Sequence, residues 1–176
     1  MNLFNAWLLA VPLLIVGIYI AVRHRDTVKR MADMTGYSQR EKAVTVLASS
    51  APHLFTLLTL FIPLSPSTVT VLIGAPLYVI GLIGFIAAVA SYIKAPSEAL
   101  AVDGIYKISR NPMYIAALLA YTGITVLTLN IFLAILLIIM IAFHHLMILS
   151  EERTCAKRYG KQYEQYKRAT PRYLFL

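Results

Sequence analysis

Five long runs of uncharged, mostly apolar residues divide the chain, at 3–22, 43–62, 69–93, 113–127 and 131–149. A helix rises 1.5 Å per residue, so about 20 apolar residues cross the roughly 30 Å hydrocarbon core of a bilayer. The pattern therefore predicts an all-α integral membrane protein with five transmembrane helices, organised as one membrane domain over 1–176. Residues 1–94 supply scaffold spans, and 95–176 supply a polar loop, a helical hairpin and a C-terminal helix. Only Thr128, Leu129 and Asn130 separate the last two runs, which predicts a tight antiparallel hairpin. The run at 113–127 is short for a full crossing, so it is tilted little or its turn lies below the far surface. Gly81 and Gly84 in the third run let another helix approach closely. Pro52 and His53 in the second read as a kink packed against a partner helix. The first run lacks a preceding basic region and a small-residue cleavage site, and is read as a span rather than a signal peptide.

Beyond 149 the periodicity changes. Cys155, Tyr159, Tyr163, Tyr166 and Thr170 recur every three or four residues, with Lys157, Lys161 and Arg168 elsewhere on the wheel. This predicts an amphipathic helix over 150–170 on the cytoplasmic membrane surface, its tyrosines facing the interface. Composition agrees with a membrane class: 59% of residues are hydrophobic, 14% are charged, and mean hydropathy is +0.72. The net charge of +8 does not point to nucleic acid, because every Lys and Arg lies in 23–42, 94–110 or 153–172, next to an apolar run. The expected partner of such segments is the anionic lipid surface, and no obligate protein partner is evident. The positive-inside tendency puts those segments in the cytoplasm, with the N-terminus outside and the C-terminus inside. Cys155 is a lone thiol, suited to a reducing compartment.

The candidate chemistry begins with G-I-Y-K-I-S-R-N-P-M-Y at 104–114. Gly104 permits a bend or a close approach to a ligand, Arg110 can hold an anion, and Pro112 restricts Asn111 to extended backbone before a helix starts. The plain alternative is a helix-start loop. The second cluster is Glu151, Glu152 and Arg153 at the end of the hairpin. Helical spacing puts His145, Leu149 and Glu152 on one face, and His144, Ile148 and Glu151 on another. The plain alternative for the acidic pair is a helix-start charge, although Ser150 followed by Arg153 makes no capping box.

Together with Y-G-K-Q-Y-E-Q-Y-K-R-A-T-P-R-Y-L at 159–174, these motifs resemble the isoprenylcysteine carboxyl methyltransferase and phospholipid methyltransferase superfamily of integral membrane enzymes. The resemblance covers about 80 residues from Pro96 onward, and its specificity lies in the ordered combination of motifs. One departure is Asn111, where better-studied members have His; an acid or base role there is excluded. The resemblance implies methyl transfer from S-adenosyl-L-methionine, without a metal, at a prokaryotic cytoplasmic membrane. It implies cofactor contacts from Leu100, Val102, Gly104, Tyr106, Arg110, Asn111, Pro112, Met113 and Tyr114, with Glu151 on the cofactor ammonium. Glu152, Arg153 and His145 are the implied catalytic residues on the acceptor side. The acceptor is a lipophilic small molecule or a lipid head group: a carboxylate oriented by Arg153, or an amine whose proton goes to Glu151, Glu152 or His145. The competing classes are a non-enzymatic membrane scaffold or small transporter retaining the motif, and a sterol-reductase-like nicotinamide enzyme.

Overall fold

The computed structural model describes residues 5–64, 66–96 and 98–174, and over them the regular structure is helical, with one isolated bridge between Asn5 and Pro63. Leu3 and Phe4 of the first expected span, and Ser65 in the uncharged turn, lie outside the described residues. The helices are α1 (Trp7–Arg23), α2 (Arg25–Met31), α3 (Gln39–Thr59), α4 (Thr68–Lys94), α5 (Pro112–Thr128), α6 (Ile131–Tyr159) and α7 (Lys161–Ala169), with a 3-10 turn at Gly104–Lys107.

Two of these, α4 and α6, are long and apolar enough to cross a membrane, and α1 with α2 makes a third candidate bent by 109°. Helix α5 is apolar but only 17 residues long. The second expected span is displaced toward the charged segment. Ser38 and Glu41 form a capping box, with Ser38 N donating to Glu41 Oε2 at 2.7 Å and Glu41 N to Ser38 Oγ at 3.3 Å, so α3 begins at Gln39 instead of residue 43. Outward faces carry Ile18, Leu72, Ile83 and Ile138, each at least 62% exposed, a surface that fits lipid better than water.

Helix α5 lies along α4, and α6 along α3. Gly81 explains the first contact, because a Cβ there would come within 2.3 Å of the Ala120 backbone nitrogen. The close approach expected at Gly81 and Gly84 is thus made by α5. Phe55 stacks on Tyr121 at 4.8 Å between ring centres, and the Tyr78 hydroxyl donates to Leu9 O at 2.8 Å, tying α3 to α5 and α4 to α1. The hairpin turn closes with Leu129 in the left-handed region and the Asn130 side chain accepting from Phe132 N and Leu133 N.

The apolar part of α6 ends at Leu149, and its 29 residues measure roughly 43 Å. That exceeds the hydrocarbon thickness, so the charged end at 150–159 projects past it. Gly160, at φ +50°, then breaks the helix and starts α7 in a new direction. The expected single surface helix over 150–170 is therefore two helices, and its tyrosines turn inward. Tyr163 is 3% exposed, and the Tyr166 hydroxyl donates to Tyr106 O at 2.7 Å. An amphipathic pattern records that one face is covered, and protein covers this one.

Candidate functional site

The polar ends of α2, α4, α5, α6 and α7 enclose a cavity of 1030 Å³, counted out to its open mouth. Three segments of the C-terminal half build its walls or hold them in place. The first is the loop before α5, where Gly104 takes φ +64° and a Cβ would meet Ser91 Oγ at 2.4 Å. Glycine is needed there for the turn and for the approach of α4, which positions Tyr106 without touching the cavity itself. The second is the charged end of α6. The third is the C-terminal tail, which returns to the loop as Arg110 N donates to Pro171 O at 2.9 Å and Ser109 Oγ to Arg172 O at 2.9 Å.

The adjacent carboxylates Glu151 and Glu152 both line this cavity in different electrostatic states. Glu152 is locked. Its Oε1 receives Arg110 Nη2 at 3.0 Å, Arg110 Nε at 3.1 Å and Asn111 Nδ2 at 3.2 Å, while Oε2 receives Arg172 Nη2 at 2.9 Å and Nε at 3.0 Å. Burial pushes its pKa up, but the Arg172 hydrogen bonds and the Arg110 charge outweigh that and hold the carboxyl below its usual range. Glu151 is held by one neutral group, the Tyr114 hydroxyl, which donates to Oε1 at 2.6 Å. Burial, only partly offset by that hydrogen bond and reinforced by the Glu152 charge, pushes Glu151 up to about 7. Glu152 is thus a cross-link, and Glu151 is poised to take a cation or a proton.

Of the residues expected from sequence, Leu100, Tyr106, Arg110, Asn111, Met113, Tyr114, Glu151 and Glu152 line the cavity, whereas Val102, Gly104, Pro112, Arg153 and His145 do not. The proposed acceptor-side group is not assembled. Arg153 is held by the start of α3 and the loop before it, donating to Glu41 Oε1 at 2.9 Å and Oε2 at 2.7 Å and to Gly36 O at 3.2 Å. A carboxylate 112 residues upstream captures it. His145 does share a face with Glu152, but its Nδ1 lies 2.6 Å from the Tyr173 hydroxyl in the tail, away from the cavity. His144, on the Glu151 face, packs edge-on against Tyr114 at 5.7 Å. Arg110 also departs from the expected free anion-holder. Besides its bonds to Glu152 it donates to Lys167 O at 3.0 Å and Thr170 O at 2.7 Å at the end of α7.

Sequence reasoning missed the wall formed by α2 and the following loop. Arg30 donates to Ala99 O at 2.7 Å and Pro96 O at 3.1 Å beyond the end of α4, and its guanidinium lies 4.3 Å from the centre of the Tyr92 ring. Asp33 pairs with Arg158, and a hydrogen bond from Thr35 followed by that from Arg158 brings its pKa down to about 2. Tyr37, Tyr92 and Tyr159 complete an aromatic lining with the tyrosines of α7. The available signal was charge balance: Asp33 and Glu41 are acidic residues in a segment that is basic overall.

A family model described as phospholipid methyltransferase matches residues 69–162, just over half of the chain, from the start of α4 into α7. No curated protein and no solved structure matches.

Proposed function

The chain belongs to the phospholipid methyltransferase family, and from that premise we propose that it transfers a methyl group from S-adenosylmethionine to a lipophilic or lipid head-group acceptor at the cytoplasmic membrane face. The observation that carries this reading is Glu151, the one carboxylate lining the cavity that has no cationic partner among the described residues. The residues fit the cofactor. Glu151 would hold its ammonium, and the tyrosine lining of Tyr37, Tyr92, Tyr106 and Tyr159 would favour a sulfonium through the ring faces. When bound, the cofactor supplies an activated methyl on that sulfonium.

The protein's own contribution is alignment and exclusion of water. Arg110, Glu152 and Arg172 fasten α7 and the tail to the motif loop and so fix the tyrosine wall. Asn111 serves that clamp, donating to Glu152 Oε1 and Arg172 O, which accounts for a residue incapable of proton transfer at this position. The topology proposed with this reading is the five-span arrangement with the N-terminus outside. Sidedness reporters in the 63–68 turn and at the C-terminus are expected on opposite faces, and finding them on one face would sink it.

Equilibrium binding of S-adenosylmethionine to the detergent-purified protein tests the function. Saturable binding that weakens in Glu151→Gln is expected. Folded wild-type protein that binds none would leave the reading without support and favour a non-enzymatic role.

A further inference from the structure

Tyr163 lines the cavity from α7 and is 3% exposed, yet its hydroxyl has no hydrogen-bond partner among the described residues. Buried hydroxyls are seldom left so, because the group gives up its bonds to water and receives nothing in return. Thr45 carries the other such atom, and it does not face the cavity. The unpaired donor belongs to a helix anchored on a charged cluster of uneven sign. Arg110 and Arg172 flank the single carboxylate of Glu152, with side-chain exposures of 7%, 32% and 10%, and Arg110 also holds the carbonyls of Lys167 and Thr170 at the end of α7. Two cations face one anion there, Arg110 and Glu152 buried and Arg172 partly open to solvent.

Glu151 is the lining carboxylate without a cationic partner among the described residues, and Arg110 of the cluster lines the same cavity. Arg110 and Asn111, the sequence-expected partners of a cofactor carboxylate, already spend side-chain N–H groups on Glu152 and on backbone carbonyls. The Tyr163 hydroxyl is a donor not so spent. We propose that Tyr163 is a ligand-binding residue whose hydroxyl donates to the carboxylate of the cofactor's amino-acid moiety, in the field of the Arg110–Glu152–Arg172 cluster, while Glu151 takes the ammonium. This rests on the S-adenosylmethionine reading above, and it adds a residue and a subsite to it.

The test compares wild type and Tyr163→Phe in detergent by calorimetric titration with S-adenosylmethionine and with its decarboxylated analogue, and by thermal unfolding without ligand. Loss of a hydrogen bond to a charged group predicts that the variant binds S-adenosylmethionine about tenfold or more weakly. The decarboxylated analogue is expected to bind wild type and variant alike. Without ligand, the variant is expected to melt no lower than wild type, since it removes an unpaired buried hydroxyl. Undiminished affinity for S-adenosylmethionine in the variant would overturn the assignment while leaving the cofactor reading intact. Equal losses for both ligands would move the hydroxyl to another part of the molecule and overturn the carboxylate contact. A lower melting temperature without ligand would mean that the protein itself uses the hydroxyl. Absence of binding by wild type would instead remove the cofactor reading, and this inference with it.

Discussion

The contact between α4 and α5 and the cavity at the polar end of α6 are built from opposite materials. The first is uncharged and brings backbones together: Gly123 would place a Cβ 2.5 Å from Tyr78 N, just as Gly81 would against Ala120. The second is made of guanidiniums, carboxylates and tyrosines whose partners lie far apart in sequence, Arg110 with Glu152 at a separation of 42 residues and Arg158 with Asp33 at 125. Van der Waals packing of small residues tolerates no added volume. Polar networks tolerate volume and fail when one partner is removed, because the other charge remains buried. The same chain thus has one region governed by shape and one governed by charge balance.

The largest effect that would break this comparison comes from adding volume to the shape-governed region. Gly81→Leu is expected to yield no folded protein in detergent, since four side-chain carbons cannot enter where the backbone of α5 already lies. A monodisperse, cooperatively melting Gly81→Leu protein would show that the helices part freely and that shape does not govern there.

Next in size is removal of the cross-linking carboxylate. Glu152→Ala leaves Arg110 and Arg172 without their shared counter-charge, and breaking such a buried arrangement costs about 3 kcal/mol. The measurement is the denaturation midpoint of the purified protein. The neighbouring Glu151→Gln is expected to leave that midpoint unchanged or higher, because it removes a carboxylate that burial already disfavours. Similar destabilisation by both would erase the distinction between the two residues.

These contrasts also mark what was legible in the sequence. Local periodicity announced the apolar helices, the hairpin turn at 128–130 and the small-residue contact of Gly81, since each depends on residues a few positions apart. The motif loop and Glu151 were legible through their resemblance to a family. That Glu152 is a cross-link instead of an acceptor-side group was not. It is decided by Arg172, 20 residues beyond Glu152, and by the direction α7 takes after Gly160. Nor does helical spacing tell whether lipid or protein covers Tyr163 and Tyr166. Arg30, Asp33 and Tyr37 lie in a segment that sequence places only at the cytoplasmic face, because the partners of Arg30 and Asp33, the end of α4 and Arg158, are joined to them only by the fold.

Within the charge-governed region, Glu151→Gln sharpens the comparison through affinity. Losing a charge-assisted contact to an ammonium is expected to weaken S-adenosylmethionine binding roughly ten- to a hundredfold, with the fold intact. Calorimetric titration of the variant beside wild type checks this, and wild-type affinity in Glu151→Gln would place the cationic group elsewhere in the cavity.

The smallest expected effect is a pH dependence with a determined sign. Glu151 has its carboxyl pushed up to about 7 in the folded, ligand-free protein, above the ordinary value of 4.5. Between those values the folded state binds the proton more tightly than the unfolded state does. The contribution of Glu151 to stability is therefore most favourable below about pH 4.5, declines as pH rises through 7, and is constant above. Ligand binding runs the other way. An ammonium requires the ionised carboxylate, so wild-type affinity is expected to rise several-fold between about pH 6 and 8 as the group loses its proton. Glu151→Gln should flatten both trends, becoming more stable relative to wild type at pH 8 than at pH 5 and binding weakly at either. A pH profile for binding that persists unchanged in Glu151→Gln would assign the titration to another group and detach the near-neutral carboxyl from ligand recognition.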